Sequence, residues 1–284
     1  MNWNAIPAIY RPLHSHQGTR VLKNSTHLGL AGCQLSVSRR AALLHTFGLT
    51  TAALANATLS RTTCELSDRQ LDSLLGNKPI YAIQSDSSMV LSSGNPAFDR
   101  SLGRHLILLA KAFEVHPGFA FVDDSPSPNA AASRETRLPG TSGTVLFGLM
   151  LLNALLNGEV GGDIAVIGVC AHEFAHIHQF EVGYDRKFTS TSSPVKLMEL
   201  HADFLAGYFV GKLKLTRPSI TLRFFGKKLY GMGTYDATSP DFHGTPQERL
   251  ASAEAGALLA GSAAPFSSVS KAGYLHVLDR YSKS

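Results

Sequence analysis

Acidic residues are missing from the first 64 positions of this 284-residue chain; the earliest is Glu65. The first 55 residues carry five basic side chains, Arg11, Arg20, Lys23, Arg39 and Arg40. Setting those five aside leaves 21 basic against 21 acidic residues, so the formal charge of +5 belongs to the leader and the body is neutral. A nucleic-acid binder concentrates its basic excess on the folded domain, and that class is excluded on this ground. Cysteine is scarce as well, with only Cys33, Cys64 and Cys170, which rules out a disulfide-stapled scaffold. Cys64 and Cys170 could pair in an oxidising compartment, but Cys170 lies in an apolar run and reads as a small buried hydrophobe. Long hydrophobic runs are lacking too. A membrane span needs roughly 20 apolar residues, and the best stretch, Val145 to Leu156, is too short and contains Asn153. What remains is an ordinary globular composition, 44% hydrophobic and 17% charged, able to fill a sizeable core.

The leader has its own order. Ser38-Arg39-Arg40 precedes a mildly apolar stretch, Ala41 to Leu59, with Ala53-Leu54-Ala55 as a small-x-small cleavage site. Charged region, apolar region and cleavage site in that sequence describe an export signal, and the paired arginines point to the twin-arginine route. Residues 1–55 are therefore expected to be a leader and the protein to be exported, periplasmic or secreted. An organelle transit peptide, also basic and acid-poor, is the alternative.

Residues 56–95 are polar and mixed, with one weak strand at Ile80 to Ile83, and read as a linker or irregular segment. Residues 96–284 read as one folded domain. Ala97 to Val115 places Leu102, Leu106, Leu109 and Phe113 at helical spacing. Gly118 to Val122 is a short strand, Ser125 to Gly143 a loop rich in Pro, Ser and Gly, Gly143 to Gly148 a strand, and Leu149 to Leu156 the start of a helix. Asp163 to Phe180 is almost uncharged up to Glu173, the pattern of a buried helix. Ser193-Pro194 opens a helix reaching about Leu215. Further helices are expected over Ile220 to Leu229, from the capping box Thr245-Pro-Gln-Glu248, and over Tyr274 to Tyr281. The order predicts an α+β fold, mostly helical.

His172-Glu173-Phe174-Ala175-His176 stands on the buried helix. Residues four apart on a helix differ by roughly 40° in direction, so both imidazoles point the same way and can share one ion. Glu173 lies one step round, beside the ion, where it can hold water. Buried polar groups without partners are costly, and a metal resolves that cost. Catalytic zinc usually has three protein ligands plus water. Gln179 and Val182 stand where a metzincin would need Gly and His, which excludes that class. The next helix offers Glu199 and Asp203, again four apart, and 23 residues beyond His176 leave room for an antiparallel return. Glu199 is assigned to the metal, and Asp203 to accepting a ring N–H from a ligand histidine. Asp236 in Gly233-Thr-Tyr-Asp236 is a rival third ligand. His178 and His201 each face roughly 160° away from a ligand and read as hydrogen-bonded histidines of the core or polar face.

Ala171-His-Glu-Phe-Ala-His-Ile-His-Gln179 followed by Glu199-Leu-His-Ala-Asp-Phe-Leu-Ala-Gly207 resembles the putative neutral zinc metallopeptidases, which are gluzincins. It is also similar to the soluble core of the prenyl-protein protease-like peptidases. His243-Gly-Thr-Pro-Gln-Glu-Arg249 resembles a third block of the first group. The resemblance covers about Gly143 to Gly256 and does not extend to the N-terminal half. It implies that 96–284 is a zincin-like metallopeptidase domain with a small edge sheet and an active-site helix pair. It further implies one catalytic zinc, a peptide or protein substrate, and Glu173 as general base of an endopeptidase. By the same resemblance His243 is the candidate oxyanion donor, Arg249 orients its segment through an ion pair, and Asn129-Ala130 with strand Gly143 to Gly148 holds the substrate backbone. Two other functions stay open: a zinc-bound pseudo-peptidase serving as a binding module or chaperone, and a non-peptidase metal hydrolase.

Overall fold

The computed structural model describes residues 65–76, 78–83, 92–125, 127–157, 161–221, 225–226, 235 and 242–282. The leader, Cys33, Cys64 and the rival ligand Asp236 lie outside the described residues. So does most of the helix expected over 220–229: Phe225 and Gly226 are described and helical, while Ile220 and Thr221, at its expected start, are described and not helical.

A four-stranded mixed sheet backs a set of helices in an α+β arrangement that is mostly helical. The strands are β1 (Tyr81–Ala82), β2 (Gly118–Val122), β3 (Ala130–Ser133) and β4 (Thr144–Gly148), in the order β1-β2-β4-β3. β2 and β4 pair in parallel, from Gly118 opposite Thr144 to Val122 opposite Gly148; β1 and β3 join antiparallel at the two edges. Period-two alternation sorts their side chains. Phe119, Phe121, Val145 and Phe147 enter the main helical core, while Ala120, Val122 and Leu146 meet Leu71 and Leu75 on the other face. Both central strands are buried throughout, which is why their sequences are continuous apolar runs.

The residues on that second face belong to α1 (Asp68–Leu75), whose Ser67 and Gln70 form a capping box. The segment 56–95 is thus not merely a linker: it supplies a helix and an edge strand to the domain. Leu71 and Leu75 repeat at helical spacing, but the run is too short to stand out from its polar surroundings. β3 likewise departs from the loop expected over 125–143. Ala-Ala-Ala-Ser has little β-propensity of its own, and pairing with β4 makes it a strand.

The remaining helices are α2 (Pro96–Phe113), α3 (Leu149–Leu156), α4 (Gly162–Val182), α5 (Tyr184–Phe188), α6 (Pro194–Thr216), α7 (Pro246–Leu258) and α8 (Phe266–Tyr281). Asn95 caps α2, and its Leu102, Leu106, Leu109 and Phe113 are all buried, as their spacing predicts. α3 has no cap of its own; the buried Asp124 carboxylate accepts from Met150 N and Leu151 N at its first turn. α5 fills part of what reads as a plain crossing loop. α8 starts eight residues before the expected Tyr274, because its first turns are rich in serine and lack an apolar stripe. Among the described residues no helix is long and apolar enough to cross a membrane.

α6 and α7 run parallel and unusually close. A Cβ on Gly207 would stand 1.9 Å from Ala253 O, and one on Gly256 would stand 1.8 Å from Phe204 O. Gly207→Ala gains up to about 1 kcal/mol of helix propensity, but backbone against backbone cannot yield without separating the helices. Overpacking of this kind costs about 1–3 kcal/mol or more. Gly207→Ala should therefore melt at a lower temperature than the native chain, whereas Gly261→Ala, with nothing within 4 Å of the new methyl, should not. Equal melting of both variants would contradict the packing described.

Candidate metal centre

α4 carries His172, Glu173 and His176, and α6 carries Glu199 and Asp203. His172 reaches Asp203 while Gln179, two turns on, reaches Met198, so the two helices run antiparallel across the site. Pro194 starts α6 where its sequence predicts, although the Ser193 side chain makes no capping hydrogen bond, and α5 with its flanking turns makes the return. All five side chains are buried.

His172, His176 and Glu199 turn one ligand atom each to a common point. The Nε2 atoms of His172 and His176 are 3.1 Å apart; Glu199 Oε2 is 3.3 Å from the first and Glu199 Oε1 is 3.0 Å from the second. Tetrahedral zinc with bonds near 2.05 Å sets its ligand atoms about 3.3 Å apart. The two nitrogens, 3.1 Å apart, stand close to that spacing, and each faces one oxygen of the same carboxylate.

Protonation makes the case stronger. His172 Nδ1 lies 2.9 Å from Asp203 Oδ1, close in distance although the ring N–H is not well aligned for a hydrogen bond. His176 Nδ1 lies 2.8 Å from Gln179 Oε1. Both Nδ1 atoms thus face acceptors, and Nε2 of each ring is the atom turned to the shared point. Two ring nitrogens and two carboxylate oxygens converge in a buried space. One proton can bridge only two of these atoms; a divalent cation satisfies the whole set. The buried His-His-Glu group can hold a metal ion.

The electrostatics of the protein groups agree. Burial pulls the His172 pKa down, but Glu199 and Asp203 outweigh it and raise the pKa to about 10. Burial opposes ionisation of Glu199, yet His172 and His176 hold its carboxyl well below the usual range. Burial likewise opposes ionisation of Asp203, and Arg249 and His172 overcome it. Glu173 differs: burial pushes its pKa up, only partly countered by His172 and His176. It is the carboxyl of the cluster tuned towards taking a proton.

Arg249, fully buried on α7, grips Asp203 with Nε at 2.8 Å from Oδ2 and Nη2 at 3.0 Å from Oδ1. Nη2 also stands 3.4 Å from Glu199 Oε2. The third sequence block therefore meets the first two at the site, through its arginine. Thr245 and Glu248 cap α7 with the expected capping box, and Glu248 also pairs with the buried Lys196 of α6 at 3.2 Å. His243 is half-buried on the turn before α7, beside Gly244, which packs near Leu200.

The expected substrate strand divides in two. β4 is flanked by β2 and β3, so it has no free edge to receive a peptide. The edge belongs to β3. Gly148 N donates to Asn129 O, so antiparallel alternation turns the Ala130 backbone groups outward. Two residues on, Ala132 O is already taken by Leu66 N at 3.3 Å. Asn129 N itself donates to Asp124.

His178 and His201 lie in the core, turned from the metal point. Burial lowers their pKa values to about 4 and about 3, so both rings are neutral. Cys170 is a buried free thiol with its pKa pushed up by burial, hence unreactive. One residue escaped the sequence reading. Gln179 enters it as the mismatch that excludes a metzincin and as the end of the first resembling block, with no role assigned, although its position three after His176 on the same helical face is a signal for contact.

No family model, curated protein or solved structure matches the chain. The structure brings residues of the three sequence blocks, His172, Glu199 and Arg249 among them, to one buried place.

Proposed function

We propose that this protein is a zinc-dependent endopeptidase of the gluzincin type, with His172, His176 and Glu199 as metal ligands. The observation that carries the reading is the convergence of two ring nitrogens and a carboxylate in one buried place, with a carboxyl of raised pKa next to them in sequence. Zinc held by this set would acidify water and polarise a carbonyl. Glu173 would take a proton from the attacking water and pass it to the leaving amine. Asp203, clamped by Arg249, keeps the proton of His172 on Nδ1. Ala130, its backbone groups turned away from β4 and with no strand beside them among the described residues, is suited to pair with an extended peptide. His243 is the candidate oxyanion donor, a role supported by its sequence block alone. The acid-free leader supports export.

A binding module has no need of a general base, and Glu173 favours the enzyme over that rival. The test is cleavage of an unfolded protein, abolished by a chelator and restored by zinc. The His172 proton competes with the metal. Because that proton is held up to about pH 10, raising the pH favours zinc, with one proton released per ion from this residue. Zinc affinity should thus rise about tenfold per pH unit between roughly pH 6.5 and 8. A pH-independent affinity would contradict the assignment of His172 as a ligand.

A further inference from the structure

Beyond His176 the core holds a run of polar groups that the catalytic reading does not use. His176 Nδ1 is 2.8 Å from Gln179 Oε1. Gln179 Nε2 donates to Met198 O at 2.8 Å and meets His201 Nδ1 at 3.1 Å. His201 Nε2 is 3.0 Å from Ser270 O on α8. All of these side chains are buried, Gln179 and His201 with no exposed surface.

The polarity of this run follows from its fixed ends. A backbone carbonyl only accepts, so His201 donates to Ser270 from Nε2–H, and its Nδ1 is then the bare nitrogen of a neutral ring. Met198 O also only accepts. The Gln179 amide must therefore turn its NH2 to Met198 and His201, and its oxygen to His176; a flipped amide would set carbonyl against carbonyl and two acceptors against each other. That oxygen requires a proton on His176 Nδ1, and so leaves His176 Nε2 free for a metal. Every link runs one way, from His176 to the carbonyl of Ser270.

We propose that Gln179 is a positioning residue for the metal ligand His176, fixing its tautomer and ring orientation through a one-way hydrogen-bond chain, Gln179–His201–Ser270, that ties the ligand to the C-terminal helix. The inference rests on the metal reading above. Asp203 with Arg249 serves His172, and Gln179 with His201 serves His176: a charged support on one side and a neutral one on the other. The neutral support adds no further charge to the buried cluster.

The test uses full-length protein, zinc affinity by competition with a chromophoric chelator, and long-range proton–nitrogen spectra of the labelled histidines. Native protein should show His201 protonated on Nε2, with and without zinc, and zinc-loaded His176 protonated on Nδ1. Gln179→Met keeps the volume and removes the acceptor; zinc affinity should fall about 10- to 100-fold, the usual loss for such a partner. Gln179→Glu keeps an acceptor towards His176 whether or not it is protonated, and should bind zinc more tightly than Gln179→Met. A role in packing alone predicts the reverse order, since Met buries no charge. Unchanged affinity in Gln179→Met, that reverse order, or a native His201 protonated on Nδ1 would overturn the proposal. If the variants do not fold, the native spectra decide it. If native protein takes up no zinc, the metal reading falls separately, and the tautomers of His176 and His201 still decide whether the chain is one-way.

Discussion

Glu173→Gln should keep both zinc and fold while losing peptidase activity by roughly 10²- to 10⁴-fold, the usual contribution of a general base. Gln reproduces the shape of Glu and removes only its basicity. Glu173 is not one of the three converging ligands, so the substitution leaves the metal set intact. Its burial, with 5% exposure, raises the pKa, so a neutral amide in its place should not destabilise the fold. Metal content, a melting curve and a cleavage rate check the prediction together. Loss of zinc would make Glu173 a ligand. Full activity with zinc retained would remove the proposed chemistry.

Glu199→Ala should abolish stoichiometric zinc binding. Both carboxylate oxygens are engaged with ligand nitrogens, at 3.3 and 3.0 Å, so truncation removes the third ligand. It also removes an anion that faces both imidazoles and one partner of Arg249, at 3.4 Å. Breaking a buried charged cluster by deleting one member costs about 3–5 kcal/mol, so the variant should also melt early. Glu199→Gln separates these effects: it fills the same space but is a far poorer zinc ligand. Normal zinc content in a folded Glu199→Gln or Glu199→Ala would sink the assignment and turn attention to Asp236.

Much of this centre was legible because it is local. The His172–His176 spacing is a property of one helix, and the Glu199–Asp203 spacing a property of the next, so periodicity alone orients each pair. The Thr245–Glu248 capping box is equally local and marks the start of α7 where the structure has it. What the sequence could not convey is pairing at a distance. β3 is a strand only because β4 lies beside it, and β4 is internal only because β2 and β3 flank it. The interplay of Gln179 with Met198, His201 and Ser270 spans three helices, and no spacing rule links positions 179 and 270. The close approach of α6 and α7 at Gly207 and Gly256 is hidden for the same reason: neither glycine is unusual on its own helix.

The most direct test of the account is a titration of metal-stripped protein with zinc, following the rate of cleavage of an unfolded protein against zinc bound per chain. The account predicts a rate near zero without metal that rises in proportion to occupancy and levels off at one zinc per chain. Cleavage that persists in the stripped protein, or full occupancy with no cleavage, would contradict it.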